Sequence, residues 1–205
     1  MVINDVEIDI DERVWQQLLA LPYSIEPDRE GHLVMTPLQA PGLTFEQLAS
    51  THPILPEELY WKVETNARNQ IIMSPPPHTD HGEFGTEIFV LLLRHLPDGR
   101  ATMGSGVQTS NGTRIPDVLW MSRARRRKHR GKVSYPEAPE ICVEVISPSN
   151  SRREIKEKTA LYLEAGAQEV WHCERDGTMR FFDASGPLPA SKFCPEFPAR
   201  ITIID

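Results

Sequence analysis

Two stretches in the first third of the chain repeat the same order of apolar and polar positions. Tyr23–Pro37 aligns without gaps on Trp61–Pro75 at a constant spacing of 38 residues, with identical Glu, Met and Pro. In each copy, two apolar runs flank a polar, turn-forming segment, and a proline ends the second run. The pattern predicts two neighbouring β-hairpins that extend one sheet. Chance similarity is the alternative, and two copies are too few for a solenoid.

The rest of the chain alternates between helical and strand-like apolar patterns. Helices are predicted at Asp11–Ala20, Thr44–Ser50, Asp80–Leu96 and Ser151–Ala165. Strands are predicted at Val107–Thr109, Thr113–Ser122, Pro139–Ser147, Glu169–Cys173, Met179–Asp183 and Ile201–Ile204, with a loop at Pro187–Pro198. This order of elements is typical of a mixed α/β sheet.

Length and composition fit a soluble protein with one sizeable core. The chain has 205 residues, of which 40% are hydrophobic and 25% are charged. No apolar run approaches the roughly 20 residues of a membrane-spanning helix, and no basic segment followed by an apolar one opens the chain. The three cysteines are widely spaced and form no zinc-binding pattern. We therefore expect a cytoplasmic protein with reduced thiols and no membrane partner.

The charge of the chain is unevenly distributed. Seven basic residues and no acidic one occur in one short run: Arg123, Arg125, Arg126, Arg127, Lys128, Arg130 and Lys132. Because the whole chain has a formal net charge of −7, the remainder carries −14. A concentrated basic loop on an acidic body predicts a local site for the phosphates of a nucleic acid. A solvated loop without a ligand is the alternative.

Two acidic residues and a lysine have the chemistry of a metal-assisted phosphodiesterase. Asp117 lies in one strand-like run, and Glu144 lies between Val143 and Val145 in another. A carboxylate among apolar neighbours is costly to bury unless a cation compensates its charge. Two carboxylates can ligate a magnesium ion, which polarises phosphate and lowers the pKa of bound water. Lys158 follows on a predicted helix, where its amine can steady developing negative charge.

Helical geometry selects Lys158 over its neighbour. At about 100° per residue, Lys158 lies between Ile155 and Tyr162 on the apolar side, whereas Lys156 points toward solvent. Lys158 is therefore expected to face the strand that carries Glu144.

Each of the three residues also has a structural interpretation. Asp117 fits a strand-entry residue that is hydrogen-bonded to a turn. Glu144 fits a buried ion pair, with Lys158 as its partner. Lys158 also fits a lysine that extends past the core to place its amine in water. Because a buried ion pair adds little stability, chemistry is the favoured explanation.

Weaker candidates lie upstream. Glu64 ends a strand-like run and is a candidate third metal ligand, although Glu26 occupies the same place in the first hairpin. His78 and His81, with Asp80 and Glu83 nearby, resemble a loose metal cluster. A loop leading into a helix explains those four residues without a metal.

Three segments together carry a resemblance to a known family: Arg114-Ile115-Pro116-Asp117-Val118, Pro139–Ser149, and Glu157-Lys158 with Tyr162. They resemble the Uma-type restriction endonucleases of the PD-(D/E)XK nuclease superfamily, over about Leu43–Phe182. The superfamily's usual lysine, two residues after the glutamate, is replaced by Ile146, and the resemblance moves its role to Lys158. The resemblance also implies that Asp117 and Glu144 are metal ligands.

The resemblance implies a restriction-endonuclease-like mixed β-sheet core flanked by helices, with an additional N-terminal hairpin extension. The expected division is residues 1–42 for the extension and 43–205 for the nuclease domain. The expected function is magnesium-dependent hydrolysis of DNA by a homodimer, with manganese as an alternative ion. A non-catalytic nucleic-acid-binding or assembly protein that retains the fold is the alternative.

Overall fold

The chain folds into two compact units. The computed structural model describes residues 2, 3, 6–8, 10–39, 44–50, 61–75, 78–148 and 150–203. Met1–Pro76 with Asn111–Thr113 form the N-terminal unit, and Pro77–Ser110 with Arg114–Asp205 form the C-terminal unit. The expected division at residues 42 and 43 lies outside the described residues.

The N-terminal unit contains both repeated hairpins. Its elements are β1 (Val2–Ile3), β2 (Val6–Glu7), α1 (Glu12–Leu19), β3 (Tyr23–Pro27), β4 (Leu33–Pro37), α2 (Phe45–Ser50), β5 (Lys62–Thr65) and β6 (Ile71–Ser74). Helix α1 begins where the Asp11 carboxylate accepts the Arg13 amide, and α2 follows Thr44, whose hydroxyl accepts the Gln47 amide. Both helices lie within one residue of their predicted ends.

The two hairpins pair with each other, as the repeat predicted. Among the described strands they form a four-stranded antiparallel sheet in the order β3-β4-β6-β5. Leu33 pairs with Met73 and Met35 pairs with Ile71, and all four side chains are fully buried. The apolar positions of the two copies therefore meet in one core.

The tip of a later turn completes this unit. The Ala67 amide donates to the Asn111 side chain at 3.0 Å, and the Thr113 amide donates to the Thr65 hydroxyl at 3.1 Å. Gly112 between them has φ +80°, and a Cβ there would lie 2.3 Å from the Thr65 carbonyl oxygen. Only glycine fits this turn, as the Asn-Gly signal indicated.

The remaining elements begin with a long helix. They are α3 (Thr79–His95), β7 (Gly99–Thr102), β8 (Gly106–Thr109), β9 (Gly112–Arg114), β10 (Val118–Ser122), α4 (Arg123–Lys128), β11 (Ser134–Tyr135), β12 (Ile141–Val145), α5 (Arg152–Glu164), β13 (Glu169–Cys173), β14 (Met179–Asp183) and β15 (Gly186–Leu188). Six of these strands, within the described ranges, form a sheet in the order β15-β14-β13-β12-β10-β7. The pair β12–β13 is parallel and the other neighbours are antiparallel. The predicted mixed α/β sheet is confirmed.

Helices cover both faces of this sheet. On one face, α3 contributes Ile88 and Leu92 to a core that includes Val143 and Trp171. On the other face, Tyr162 of α5 packs in a separate apolar cluster with Cys142 and Val170. Alternate residues of the central strands thus face different helices, which explains why these strands are apolar on both sides.

Two predictions around the basic run are wrong. The predicted strand Thr113–Ser122 is broken into β9 and β10, because Pro116 between them has no amide to donate to a ladder. The predicted basic loop forms helix α4 over its first six residues. The Ser122 hydroxyl starts that helix by accepting the Arg125 amide.

The predictions were also wrong at the sheet edges. Strands β7 and β15 at the two ends of the sheet were not predicted, and β15 overlaps the predicted loop Pro187–Pro198. Residues 201–203 of the predicted last strand are not a strand, and Ile204 lies outside the described residues. Edge strands pair on one side alone and can be short, so their apolar pattern is weak. None of the described helices combines the length and apolar character needed to cross a bilayer.

Candidate functional site

Asp117 and Glu144 are carried by two neighbouring antiparallel strands, β10 and β12. Asp117 directly precedes β10, and Glu144 is in β12, where Val118 pairs with Val143. Asp117 lies outside that paired register, and its backbone and side chain bond to the residues on either side of Glu144. The Asp117 amide donates to the Val143 carbonyl at 3.0 Å, and its carboxylate accepts the Val145 amide at 2.8 Å. Both contacts fix Asp117 to the strand that carries Glu144.

Glu144 is a buried carboxylate with a hydroxyl and an ammonium group beside it. Only 3% of the residue is exposed. The Tyr162 hydroxyl donates to Glu144 Oε1 at 2.6 Å, and Lys158 Nζ lies 3.6 Å from Oε2. A charge-assisted hydrogen bond and a nearby cation stabilise a carboxylate that water cannot reach.

Helix α5 presents both partners of Glu144 from one face. Lys158 and Tyr162 are four residues apart, which places them on the same side of a helix. As the helical wheel predicted, Lys158 is buried toward Glu144 and Lys156 is exposed. The interpretation that Lys158 places its amine in water is wrong. The ion pair between Lys158 and Glu144 is present, and Lys158 is also 3.6 Å from Glu154.

His81 joins the site from the first turn of α3. Its Nε2 lies 3.2 Å from Asp117 Oδ2, and the two side chains are 18% and 12% exposed. The loose cluster suggested by the sequence is not formed: over the described ranges, no three His, Cys, Asp or Glu side chains are arranged to hold a metal. His81 thus contacts Asp117 instead of completing a cluster with His78.

The donor chemistry of the two acidic residues fits a divalent cation. Magnesium is commonly held by one or two protein carboxylates, with waters and phosphate oxygens as its other ligands. The site therefore does not require a third protein carboxylate. A carboxylate has two oxygens with about four lone-pair sites, so the Val145 amide bond to Oδ2 does not by itself prevent Asp117 from binding an ion.

Glu64 and Glu26, which are equivalent in the two repeated hairpins, differ in burial. The two residues occupy equivalent positions, and both of their strands are at edges of the four-stranded sheet. Glu26 is exposed, whereas only 4% of Glu64 is exposed. The repeat therefore does not explain the burial of Glu64, which remains a predicted metal ligand.

Arg125 differs from the rest of the basic run. Its guanidinium donates to the Gly166 carbonyl at 3.0 Å and to the Ala138 carbonyl, and it lies 3.5 Å from Glu137 and 3.6 Å from Glu140. These internal contacts use the donors that a phosphate would need. The predicted nucleic-acid-binding role of Arg125 is therefore not supported by its position.

The rest of the run lies on the surface. Lys128 contacts Glu137, although the side chain is 65% exposed. The other members are exposed: Arg123, Arg126, Arg127, Arg130 and Lys132. Helix α4 thus presents a surface rich in guanidinium groups.

Thiol and imidazole groups behind the site are held neutral by burial. Burial raises the pKa of the Cys142 thiol, and it raises the pKa of Cys173 to about 12. His172 pairs with Glu144 along the parallel strands, and burial lowers its pKa to about 4. At neutral pH, none of these three side chains supplies a charge to the site.

A family model covers the residues of this site. The model Uma2, described as "Putative restriction endonuclease", matches residues 45–181. The chain belongs to the Uma2 family. The match includes all three predicted catalytic residues. None of the curated proteins compared with the chain matches it.

A solved structure supports the fold of this Uma2 family member. It is from Anabaena variabilis ATCC 29413, and its description is "a putative nuclease belonging to DUF820". The TM-score is 0.62 with 16% sequence identity, over 77% of this chain and 94% of that chain. At this identity the likeness shows the fold alone, which is restriction-endonuclease-like with a mixed sheet flanked by helices.

Two contacts of this Uma2 site were not predicted. Tyr162 carried part of the family resemblance without a role, although its spacing from Lys158 indicated a shared face. The sequence indicates His81 only as part of a local cluster with His78, Asp80 and Glu83. Its contact with Asp117 links a helix start to a strand 36 residues later, and no local spacing rule indicates such a contact.

Proposed function

We propose that this protein is a metal-dependent DNA endonuclease that hydrolyses phosphodiester bonds. Magnesium is the ion implied by the family, and manganese is the alternative. The observation that carries the proposal is the placement of Glu144. Asp117 bonds to the backbone of both residues that flank this buried carboxylate, Val143 and Val145, and Lys158 and Tyr162 lie beside it.

Burial of these charges favours chemistry over stability. Replacing a buried ion pair with apolar side chains of similar volume is often neutral or stabilising, so a fold gains little from keeping one. Buried ionisable groups with a specific charged partner are candidates for a functional site. Glu144 and Lys158, which are 3% and 7% exposed, fit that description.

Each residue has a distinct role in the proposed reaction. Asp117 and Glu144 hold the ion, which when bound polarises the scissile phosphate and acidifies water. The Tyr162 hydroxyl keeps Glu144 in one orientation. The Lys158 ammonium supplies positive charge where the phosphate becomes more negative. The backbone contacts of Asp117 hold its carboxylate in place before substrate arrives.

The basic surface of α4 supplies the proposed DNA contacts. Exposed guanidinium groups bind phosphates through charge-assisted hydrogen bonds without reading sequence. The proposed set is Arg123, Arg126, Arg127, Lys128, Arg130 and Lys132. A cytoplasmic homodimer would bring two such sites to the two strands of a duplex.

A second candidate function follows from the partners of Glu144. Because Lys158 and Tyr162 already neutralise this carboxylate, the same geometry suits a fold that has lost catalysis. The protein would then bind nucleic acid or support an assembly through its basic surface.

Plasmid nicking separates the two functions. Supercoiled plasmid, linear duplex and single strands are incubated with the wild-type protein, with Mg²⁺ or Mn²⁺ and with the metal chelated. The endonuclease proposal predicts metal-dependent nicks that Asp117→Asn abolishes without unfolding the protein. Binding of plasmid without nicks under every metal condition supports the second function, and equal nicking by Asp117→Asn contradicts the proposed site.

The hairpin repeat offers a matched control for the candidate third ligand. Glu64→Gln is expected to weaken Mn²⁺ binding by about tenfold, because it removes a buried carboxylate ligand. Glu26→Gln changes the equivalent exposed residue and should leave binding unchanged. Equal Mn²⁺ affinity of the two variants in a calorimetric titration would remove Glu64 from the site.

A further inference from the structure

His81 contacts one of the two proposed metal-binding carboxylates. Its Nε2 lies 3.2 Å from Asp117 Oδ2, and both side chains are mostly buried. His81 is in the first turn of α3, where the helix backbone fixes its direction, and its amide donates to the His78 carbonyl at 3.1 Å. The ring therefore reaches Asp117 from a rigid element and not from a loop.

The distance between these two atoms suits a shared ion. Imidazole nitrogen and carboxylate oxygen bind small divalent ions at about 2.0–2.2 Å. In adjacent positions of an octahedral ion, two such atoms are about 3.0 Å apart, since they subtend a right angle at the metal. The observed 3.2 Å is close to this separation. Because no three such side chains of the described residues are already arranged around an ion, Glu144 would have to move toward this pair when the ion binds.

We propose that His81 is a metal ligand through Nε2, and that the site therefore takes Mn²⁺ in preference to Mg²⁺. The inference rests on the proposed function, because Asp117 is the carboxylate that shares the ion. Magnesium selects oxygen ligands and keeps its waters. Mn²⁺ binds nitrogen more weakly than the later first-row ions do, but as a transition ion it accepts an imidazole more readily than Mg²⁺ does. One nitrogen among oxygen donors shifts the affinity ratio toward Mn²⁺.

A structural role for His81 would have a different consequence. A ring that only supports the Asp117 carboxylate would stay outside the coordination sphere, and its loss would weaken Mn²⁺ and Mg²⁺ binding together. A ring that ligates the ion contributes a nitrogen directly bound to the metal. The two roles therefore differ in a spectroscopic signal and in an affinity ratio.

The spectroscopic test uses the wild-type chain. Mn²⁺ is bound to the full-length protein, and electron spin echo modulation is recorded with natural-abundance histidine and with ¹⁵N-histidine. We expect ¹⁴N modulation from a directly bound imidazole in the unlabelled protein. In the ¹⁵N-histidine protein, ¹⁵N modulation should replace it. Bound Mn²⁺ without nitrogen modulation overturns the role of His81 and leaves the proposed function standing.

Matched variants assign the nitrogen to one residue. His81→Asn should abolish the modulation and weaken Mn²⁺ binding about tenfold or more, with less than about threefold change for Mg²⁺. His78→Asn is the control, because His78 is exposed and makes no side-chain cap bond to α3. It should retain both the signal and the affinity.

The variants also separate failure of this inference from failure of the function. Modulation that persists in His81→Asn, or equal loss of Mn²⁺ and Mg²⁺ affinity, overturns the ligand role. Mn²⁺ that binds wild type and Asp117→Asn equally overturns the proposed function as well, because the ion is then elsewhere. If His81→Asn fails to fold, the labelling experiment on the wild type still decides whether a histidine is bound.

Discussion

The central strand β12 has a buried carboxylate near each end, and the two are held differently. Glu140, just before the strand, is 6% exposed, accepts the Ser122 amide at 3.1 Å and lies 3.6 Å from Arg125. The Arg125 guanidinium also donates to two backbone carbonyls, those of Ala138 and Gly166. This end of the strand is a hydrogen-bonded connection between α4 and the turns around it.

At the other end of β12, Glu144 lies beside a lysine ammonium group and a tyrosine hydroxyl. Lys158 Nζ is 3.6 Å from both Glu144 and Glu154, which is longer than a hydrogen bond, and Tyr162 supplies the short contact to Glu144. A planar guanidinium with backbone partners is fixed, whereas an ammonium group between two carboxylates can move when an ion or phosphate arrives. This difference supports the proposal that Arg125 has a structural role and that Lys158 acts in the reaction.

The sharpest test exchanges the two carboxylates for their amides. Glu144→Gln should reduce metal-dependent nicking about 10⁴-fold or to background, a loss of about 5 kcal/mol in transition-state stabilisation. Lys158 keeps Glu154 as a partner, so this variant should remain folded. Glu140→Gln is the matched control and should nick within about threefold of wild type. Equal loss of activity in both variants would end the distinction between the two ends of β12.

Replacing Arg125 should destabilise the protein, because Arg125 holds the Glu140 end of strand β12. Arg125→Met leaves Glu140 buried without its cation, and breaking such a pair costs about 3–5 kcal/mol in the free energy of unfolding. Arg126→Met changes an exposed neighbour and should cost less than about 0.5 kcal/mol. Urea unfolding measures both. Stability of Arg125→Met within the range of the control would show that the contacts of Arg125 are not structural.

The free energy of unfolding should decrease in acid because of His172, which pairs with Glu144 on the neighbouring strand. Burial lowers its folded pKa to about 4, so below pH 6.5 the unfolded state binds the proton more tightly. The folded state therefore loses up to about 3 kcal/mol from this group as the pH falls from 6.5 to 4. Urea unfolding of wild type and His172→Asn across that range isolates the contribution. Parallel curves for the two proteins would contradict it.

The smallest expected effect concerns DNA binding by α4. Replacing Arg126 and Arg127 with Gln should lower the log–log salt slope of DNA binding by about 1.8, at about 0.9 per phosphate contact. Arg13 and Arg68, which are exposed in the N-terminal unit, provide a double variant with the same charge change. An identical slope for both double variants would exclude α4 as the DNA surface.

The elements that sequence patterns predicted best are those whose signals act between residues close together in the chain. Helical periodicity and capping residues act within a few positions, so α1, α3 and α5 were predicted almost to their ends. The orientation of Lys158 was predicted for the same reason. The two hairpins were found because their apolar positions repeat. Short edge strands such as β7 and β15 have no comparable local pattern.

Tertiary contacts explain what the sequence did not reveal about the site. A basic run appears uniform in sequence, yet Arg125 is fixed by carbonyls 13 and 41 residues away. His81 and Asp117 are likewise brought together only by the packing of a helix against a strand. Local patterns identified the chemistry of these residues, and the fold determined which of them act together.

Calorimetric titration of Mn²⁺ and Mg²⁺ into wild type and Glu144→Gln tests the central claim most directly. We expect wild type to bind a divalent ion and Glu144→Gln to lose that binding while remaining folded, with Glu140→Gln unchanged. Absence of binding to wild type, or equal binding by wild type and Glu144→Gln, would contradict the assignment of this buried carboxylate to a metal site.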